Sequence, residues 1–346
     1  MTESKIEQMI SVLKQNEILP HDCDREQWLA ARSSGIGGSD LGVIVGLNKY
    51  KSELELLLEK IGTAAPTKSN LPMRAGSFME PFLRAEFPNT DEYWEKSLQT
   101  CNEKIGMIRH KEYPFIFANV DDIGVSKFGP CVIEYKTSSG MAAYNGWKKG
   151  DYPQTYYAQV QLYMEVLGSY FPGEPAFDHA FIAALLNNNK IEVRFVQKDK
   201  EWLDMALGKA KAFWDAVERK DTTDFIFCVD GKEATLKAIS KVFPGEKENE
   251  KELPQESNLT IMELEAALDT QKAADAEVNR LKSLLLLEMK DSTKASTDMY
   301  RVSWPVNNTR KVFDKTSFLE AHPGIDLDSF QKEVSPYRMG LKVKRA

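Results

Sequence analysis

The sequence predicts an α/β protein in which helices flank a small mixed sheet. Two observations support this fold class. Short apolar segments rich in β-branched and aromatic residues are typical of strands, and they alternate with longer segments whose apolar residues recur at helical spacing. In addition, 346 residues with 42% hydrophobic content can form one substantial core and a smaller appended unit. We therefore expect an α/β sandwich.

The first half of the chain shows this alternation clearly. Residues 1–20 have the pattern of a short amphipathic helix that ends at Pro20. Helices are then predicted near residues 26–32, 39–46, 53–60 and 76–87. Strands are predicted near residues 92–99, 104–108, 114–120 and 131–137. The last of these segments is a β-branched and aromatic run, which favours a strand.

The pattern continues to about residue 219. A helix is predicted over 154–167, where Gly168 provides a stop signal. Apolar strands follow at 177–186 and 191–195, and then a long helix at 199–219. The apolar residues of this helix recur at helical spacing, which indicates core packing rather than a cofactor site.

A domain boundary is predicted where charged residues lie between two prolines, Pro244 and Pro254. We predict a core over 1–243, a charged linker over 244–258 and a C-terminal extension over 259–346.

The C-terminal extension is predicted to contain a long helix and a β-hairpin. Thr260 and Glu263 have the spacing of a capping box at the start of a helix that runs to about Asp291. Such a helix could pack on its own core, form a coiled coil or hold a neighbouring subunit. The hairpin is predicted from strands at 300–304 and 310–313.

Three acidic residues and one lysine are the strongest chemical signal: Glu80, Asp121, Glu134 and Lys136. Side chains alternate on a strand, so Glu134 and Lys136 face the same side. Carboxylates beside a lysine can hold a hard divalent cation and orient a water for phosphodiester hydrolysis. The Glu-x-Lys triplet occurs four times in the chain, but only this copy lies in an apolar strand. The alternative interpretation is a surface ion pair on an edge strand.

Two further segments support this chemistry. Arg32 precedes a Ser/Gly-rich turn that opens a helix at Ser39, and this combination can bind a phosphate. The more common alternative is an ordinary helix cap provided by Ser39 or Asp40. On the later helix, Gln159 and Tyr163 are four residues apart and share a face, whereas Gln161 points elsewhere.

Taken in order, these segments resemble the YqaJ-type viral recombinase family, relatives of phage lambda exonuclease in the PD-(D/E)xK nuclease superfamily. The resemblance covers roughly residues 20–230 and rests on Trp28, Arg32, Gly37-Gly38-Ser39-Asp40, Gly76, Glu80-Pro81, Asn119-Val120-Asp121, Glu134-Tyr135-Lys136-Thr137 and Tyr157-Ala158-Gln159-Val160-Gln161. It implies a restriction-endonuclease-like core with a mixed central sheet. Val120 replaces the usual proline and Asp122 replaces a frequent glycine. Asp121 is the expected ligand, and the departure at Asp122 makes that residue the alternative.

The resemblance also implies roles for individual residues. Glu80, Asp121, Glu134 and the backbone carbonyl of Tyr135 would bind two Mg²⁺ ions, for which Mn²⁺ can substitute. Lys136 would position or deprotonate the attacking water. Gln159 or Gln161 would hold the scissile nucleotide or that water. Arg32 and Ser39 would hold the 5′-terminal phosphate.

The implied function is a Mg²⁺-dependent 5′→3′ exonuclease that acts on double-stranded DNA ends and leaves 3′ single strands for recombination. The resemblance further implies a single-strand annealing protein as partner and a ring-shaped homo-oligomer, a trimer. Two other functions are considered: an endonuclease of restriction or repair type with the same metal site, and a DNA-end-binding recombination module that does not cleave.

Composition limits the remaining function classes. The net charge of −7 means that DNA binding would depend on a local basic surface, with candidates at Lys49, Lys51, Lys148, Lys149 and the C-terminal tail. The four cysteines form no Cys-x-x-Cys pair, which argues against iron–sulfur and zinc sites. No run reaches the roughly 18–20 apolar residues of a membrane span. We therefore expect a cytoplasmic protein, in the host cytoplasm if it is phage-encoded.

Overall fold

The computed structural model describes residues 3–64, 70–101, 104–140, 145–220, 228–243, 250–306 and 314–326. The chain divides into two compact units, Met1–Val242 and Phe243–Ala346. The first unit contains the helices α1 (Glu3–Gln15), α2 (Arg25–Ser33), α3 (Gly38–Ile44), α4 (Glu53–Lys60), α5 (Leu71–Glu86), α6 (Asp91–Glu95), α7 (Gln154–Gly168), α8 (Lys200–Arg219) and α9 (Glu233–Val242). Its strands are β1 (Glu17–Leu19), β2 (Gln99–Thr100), β3 (Met107–Arg109), β4 (Phe117–Ala118), β5 (Asp122–Ser126), β6 (Gly129–Ser138), β7 (His179–Leu186) and β8 (Lys190–Gln197).

The centre of the first unit is a five-stranded mixed sheet in the order β2-β5-β6-β7-β8. Strands β6 and β7 pair in parallel, with Glu134 opposite Ile182, whereas the other neighbouring pairs are antiparallel. A smaller sheet has the order β1-β3-β4. The predicted α/β fold, with a mixed central sheet flanked by helices, is therefore confirmed.

Strands β6 and β7 lie in the middle of the sheet, and both of their faces are covered. Every residue of β7 is buried, as are the first seven residues of β6. Such strands are continuous apolar runs because neither face contacts water. On one face, Val132 packs in a core that includes residues of α3, α4, α7 and α8. On the other face, Ile133 and Tyr135 pack with residues of α5 such as Leu83. These two cores fix the position of β6.

The prediction of a strand over 92–99 is wrong. The chain forms the short helix α6 and then only the two-residue strand β2. Tyr93 and Leu98 are apolar residues of this segment, and both are buried in the core beside α5. The amide of Leu98 donates to the carbonyl of Tyr93 at 2.9 Å, so a tight turn brings both side chains to the same core.

Helix α5 begins earlier than predicted, at Leu71 rather than near 76. The side chain of Asn70 accepts a hydrogen bond from the amide of Met73, which caps the helix, and Pro72 lies in its first turn. Both residues favour a helix start at this point. The earlier start does not change the position of Glu80, which lies within the helix.

The second unit contains α10 (Ser257–Met289), β9 (Lys294–Ser296), β10 (Arg301–Ser303) and α11 (Lys315–Ala321). The long helix is present, but the expected capping box at Thr260 does not form because α10 already begins at Ser257.

One strand of the predicted C-terminal hairpin is present as β10. Strand β10 pairs antiparallel with β9, so that Val302 lies opposite Ala295. The other predicted hairpin strand, 310–313, and the basic tail lie outside the described residues. Among the residues that the structure describes, no helix combines the length and apolar character needed to cross a membrane.

Candidate active site

Strand β6 presents Glu134 and Lys136 on the face that α7 covers. Glu134 is fully buried, and its Oε1 forms an ion pair with Nζ of Lys136. Tyr135 points to the opposite face and packs edge-on against Phe87 with ring centroids 6.0 Å apart. The alternation predicted for this strand therefore holds, and the buried pair is not a surface ion pair on an edge strand.

The two adjacent aspartates have different surroundings. Asp121 precedes β5, and its Oδ2 accepts a hydrogen bond from the amide of Tyr135 at 2.8 Å. The carboxylate of Asp122 instead pairs with Nε of Arg84 at 2.9 Å and accepts from the hydroxyl of Tyr135 at 3.2 Å. Burial raises the pKa of Asp122 to about 6, although Arg84 opposes this shift. Because the oxygens of Asp122 are engaged within the protein, Asp121 stays our candidate ligand.

Helix α5 contributes Glu80 from the other side of β6. At Gly76, one turn earlier, an added Cβ would lie 3.4 Å from Oγ1 of Thr137 on β6, so this helix approaches the strand closely. Burial and the nearby charge of Asp121 raise the pKa of Glu80. Glu80 and Asp121 also line a cavity of about 140 Å³ together with Trp28.

Three carboxyl groups share this site with a single lysine, and burial makes it costly for all three to be ionised. Burial, reinforced by the charge of Asp121, raises the pKa of Glu134 to about 8. Burial acts to lower the pKa of Lys136, but the charges of Glu134 and Asp121 outweigh it, so that the pKa of Lys136 is raised. Lys136 therefore remains a cation, and an additional cation would relieve the repulsion among Glu80, Asp121 and Glu134.

The residues present fit a divalent metal ion. The second oxygen of Glu134, Oε2, is buried without a hydrogen-bond partner in the described protein, which is unusual for a buried carboxylate and leaves this atom available to a cation. Hard cations such as Mg²⁺ prefer carboxylate oxygens. Within the described part of the chain, no three His, Cys, Asp or Glu side chains already stand close enough to form a complete metal-binding group. Glu80, Asp121 and Glu134 would therefore adjust when an ion binds.

Helix α7 brings Gln159, but not Gln161, to this cluster. Nε2 of Gln159 donates to Oε1 of Glu134 at 2.6 Å and to the hydroxyl of Tyr163 at 3.0 Å. Gln161 lies elsewhere: its Nε2 donates to the carbonyl of Gln197 at 2.7 Å, and its Oε1 accepts from the amide of Asp199 at 2.9 Å. Gln161 thus links α7 to the segment between β8 and α8, and Gln159 is our remaining candidate.

The Ser/Gly-rich turn places Arg32 against Ser39. Nη2 of Arg32 donates to the hydroxyl of Ser39 and lies 3.6 Å from Oδ1 of Asp40. Asp40 also accepts from the amide of Gly37 at 3.2 Å, so the capping role considered for Asp40 is present. Ser39 is instead directed to Arg32. The guanidinium of Arg32 stacks on Trp28, 5.1 Å from the ring centroid.

Lys60 organises this turn, and sequence reasoning missed it. Its Nζ donates to the carbonyl of Arg32 at 2.7 Å and to that of Gly35 at 2.6 Å, and it pairs with Asp40 at 2.8 Å. All three ammonium protons therefore hold the turn. Burial acts to raise the pKa of Asp40, but Lys60 and Arg32 outweigh it and the pKa is lowered. In sequence, Lys60 ends a charged helix, where a solvated side chain is the default expectation. Arg84 was missed as a site-supporting residue for a similar reason, since only its tertiary partner Asp122 reveals its role.

The proposed basic surface is only partly described. Lys51 is paired with Glu59 at 2.5 Å, and Nζ of Lys49 lies 5.0 Å from the ring centroid of Tyr50. Lys148 is exposed. The side chain of Lys149 and the C-terminal tail lie outside the described residues. A basic DNA-binding surface therefore stays a prediction.

Comparison with known proteins identifies the family. Residues 27–169 match the YqaJ-like viral recombinase domain, a range that contains every candidate site residue. The chain is also 30% identical over 337 residues to protein YqaJ of Bacillus subtilis (strain 168), which covers 95% of this chain and 98% of that protein. This chain belongs to the YqaJ-like viral recombinase family. The resemblance found in the sequence is thereby confirmed.

Solved structures with a similar arrangement include two exonucleases. An alkaline exonuclease (LHK-Exo) from Laribacter hongkongensis matches with a TM-score of 0.45 and 19% identity, covering 56% of this chain and 93% of that chain. A phage-related exonuclease from Haemophilus somnus 129PT matches with a TM-score of 0.34 and 13% identity, covering 61% and 92% of the two chains.

Because the two aspartates have different surroundings, we expect the same substitution to change the stability of the protein by different amounts. Asp122→Asn replaces an oxygen that accepts from Arg84 and from the hydroxyl of Tyr135 with an amide donor, so we expect the free energy of unfolding to fall by about 1–3 kcal/mol. Asp121→Asn keeps an oxygen for the Tyr135 amide and reduces repulsion, so we expect little loss of stability. Urea unfolding at pH 7 measures both. A larger loss of stability for Asp121→Asn would contradict this assignment.

The raised pKa of Glu134 predicts how the stability of the metal-free protein depends on pH. Above about pH 5 the unfolded chain has released this proton, while the folded protein retains it up to about pH 8. The folded state then binds about one more proton, so the free energy of unfolding should decrease as the pH rises, by about 4 kcal/mol between pH 5 and 8, since one proton corresponds to about 1.4 kcal/mol per pH unit. Urea unfolding in EDTA at several pH values measures this slope. Glu134→Gln should make this slope shallower, with the remainder due to groups such as Asp122, and an unchanged slope in that variant would assign it entirely to other groups.

Proposed function

We propose that this protein is a Mg²⁺-dependent exonuclease that degrades the 5′-ended strand of linear duplex DNA and leaves 3′ single strands for recombination. The observation that carries the proposal is the buried carboxylate of Glu134, which lies beside Asp121, Lys136 and Gln159 and has one oxygen without a partner in the described part of the chain. Membership in the viral recombinase family supports a nuclease that acts on DNA.

The metal would be held by the carboxylates of Glu80, Asp121 and Glu134 and by the backbone carbonyl of Tyr135. Two Mg²⁺ ions are proposed, with Mn²⁺ as a substitute. When bound, such ions neutralise charge on the scissile phosphate and lower the pKa of water. Two features of this chain favour cation binding: three carboxyl groups lie beside one lysine, and Oε2 of Glu134 has no hydrogen-bond partner among the described residues.

Lys136 is suited to stabilising charge rather than to removing a proton. Its pKa is raised by Glu134 and Asp121, so it carries a full positive charge at neutral pH. A protonated lysine cannot act as a base, but it can orient a water or hydroxide and stabilise negative charge that develops on phosphate oxygens. Of the two roles considered for this residue, we therefore propose the positioning role.

Gln159 is proposed to orient the carboxylate that binds the metal. By donating to Oε1 of Glu134, its amide fixes one oxygen and leaves Oε2 directed elsewhere. Groups that orient a metal ligand in this way commonly change metal affinity 10- to 100-fold when they are removed, on the order of 1–3 kcal/mol.

The polarity of digestion is proposed to come from Arg32 and Ser39. The guanidinium of Arg32 and the hydroxyl of Ser39 are hydrogen-bonded to each other at a turn that Lys60 stabilises by donating to the carbonyl of Arg32. A guanidinium can form paired hydrogen bonds with phosphate oxygens. Recognition of a 5′-terminal phosphate at this point would explain an exonuclease that begins at an end and proceeds 5′→3′. The trimeric ring and the single-strand annealing partner remain predictions from the family resemblance.

The decisive experiment digests a linear duplex labelled at one 5′ end, with a closed circular duplex beside it. We expect early release of 5′ nucleotides from linear DNA in Mg²⁺ and none in EDTA. Glu80→Ala, Asp121→Ala and Lys136→Ala should each reduce the rate by at least about 100-fold, since Glu80 and Asp121 are proposed to hold the metal and Lys136 to stabilise charge on the reacting phosphate.

Glu288→Ala is a matched control because Glu288 belongs to another Glu-x-Lys triplet and is exposed. Its rate should equal that of the wild-type protein. Nicking of the circle would instead indicate an endonuclease. Binding of DNA ends without turnover in Mg²⁺ or Mn²⁺ would indicate a module that does not cleave.

The proposed role of Arg32 predicts a change in end preference. Arg32→Ala should reduce the preference for 5′-phosphorylated over 5′-hydroxyl ends by about 10-fold or more, because a charged hydrogen bond contributes about 1.5–3 kcal/mol. Relative rates on the two substrates measure this effect. Arg25→Ala is the control, since Arg25 stacks on the same Trp28 ring at 4.5 Å. An equal loss of preference in both variants would assign the effect to the Trp28 stack rather than to Arg32.

A further inference from the structure

Gly38 lies where a larger residue would not fit. A Cβ at this position would stand 2.7 Å from Cγ of Gln159 and 2.7 Å from Cε1 of Tyr163. Carbon atoms in folded proteins pack at about 3.5–4.0 Å, so one of these groups would have to move. The φ angle of Gly38 lies outside the left-handed region. Space, rather than backbone conformation, therefore requires glycine here.

Gly38 connects the two parts of the proposed site. The next residue along the chain, Ser39, accepts the hydrogen bond from Arg32. The side chain that Gly38 touches, Gln159, donates to Oε1 of Glu134 at 2.6 Å. The turn proposed to hold the terminal phosphate is thus linked to the buried carboxylate of Glu134 by two contacts. Gly38 touches Gln159, and Gln159 donates to Glu134.

A second glycine of α3 provides an internal comparison. Gly42 lies one turn after Gly38 and faces the same helix, α7. A Cβ at Gly42 would meet Cα of Thr155 at 3.5 Å and its side chain at 3.6 Å, which are ordinary contacts. Helix α3 therefore approaches α7 too closely for a Cβ at Gly38, beside Gln159, but leaves room for a Cβ one turn later, at Gly42.

We propose that Gly38 is a positioning residue that sets the separation between the end-recognition turn and the carboxylate of Glu134. It does so by allowing α3 to touch Gln159 and Tyr163 directly. This inference rests on the proposed function and adds a structural reason for a fixed cutting step. If the terminal phosphate and the reacting phosphate are held a constant distance apart, each cut releases a product of the same length.

The variants Gly38→Ala and Gly42→Ala test the inference as a matched pair. In Gly38→Ala the added methyl displaces Gln159, so we expect kcat on 5′-phosphorylated duplex to fall about 100-fold, as small misplacements in active sites do. KM should change by no more than about twofold, because Arg32 and Ser39 are retained. Gly42→Ala should match the wild-type protein in both constants. Equal kcat values in the two variants would overturn the proposal.

A double variant shows whether Gly38 acts through Gln159. In a Gln159→Ala background the Cγ atom is absent and only the contact with Tyr163 remains, so Gly38→Ala should cost less than it does alone. Full additivity of the two substitutions would mean that Gly38 acts by another route. The thermal midpoint of each metal-free variant is measured first, and a Gly38→Ala protein that is unfolded at the assay temperature is examined at a lower temperature beside the control.

Mg²⁺ binding provides a readout that does not depend on nuclease activity. Mg²⁺ that binds the folded protein raises its thermal midpoint, and a titration gives the apparent affinity. Because Gln159 orients Glu134, Gly38→Ala should bind Mg²⁺ about 10-fold more weakly than the wild-type and Gly42→Ala proteins. If the wild-type protein bound Mg²⁺ but released no nucleotides, the exonuclease proposal would fail while this difference still decided the role of Gly38. Equal affinities in all three proteins would overturn the inference, and no Mg²⁺ binding at all would overturn both.

Discussion

The buried carboxylate of Glu134 is the constraint on which the rest of the site depends. A charge in the centre of a sheet is costly unless partners surround it. Lys136 on the same strand and Gln159 on α7 supply partners for one oxygen, and the other oxygen has none in the described protein. Two packed cores hold β6 in place from both faces. The fold thus holds a buried carboxyl group whose pKa is strongly shifted, and such groups are common at functional sites.

Two neighbouring aspartates have different roles in this arrangement. Asp121 and Asp122 are adjacent, yet Asp122 is engaged with Arg84 while Asp121 accepts from the Tyr135 amide beside Glu134. Alternation along the backbone is enough to separate a structural carboxylate from a candidate ligand. The buried ammonium group of Lys60 also has a structural role. It stabilises the turn that follows Arg32 by donating hydrogen bonds to the backbone carbonyls of Arg32 and Gly35.

The sequence allowed most of the sheet and its helices to be predicted, because long periodic segments such as α7 and α8 carry strong local signals. Errors arose where tertiary contacts outweighed local pattern. The segment 92–99 forms a helix and a turn because Tyr93 and Leu98 share one core. At the site, Gln159 and Gln161 were equally good candidates from spacing within the family pattern, and only their hydrogen bonds distinguished them.

By itself, the sequence determined the fold class, the family and the residue types of the candidate site, because periodicity and ordered motifs are local properties of the chain. Only the tertiary structure decided which aspartate faces Glu80, which glutamine reaches Glu134 and why Gly38 has no side chain. Those questions concern distances between segments that are far apart in sequence, such as α3, β6 and α7. Such distances are set by packing, and packing leaves no trace in the local pattern of residues.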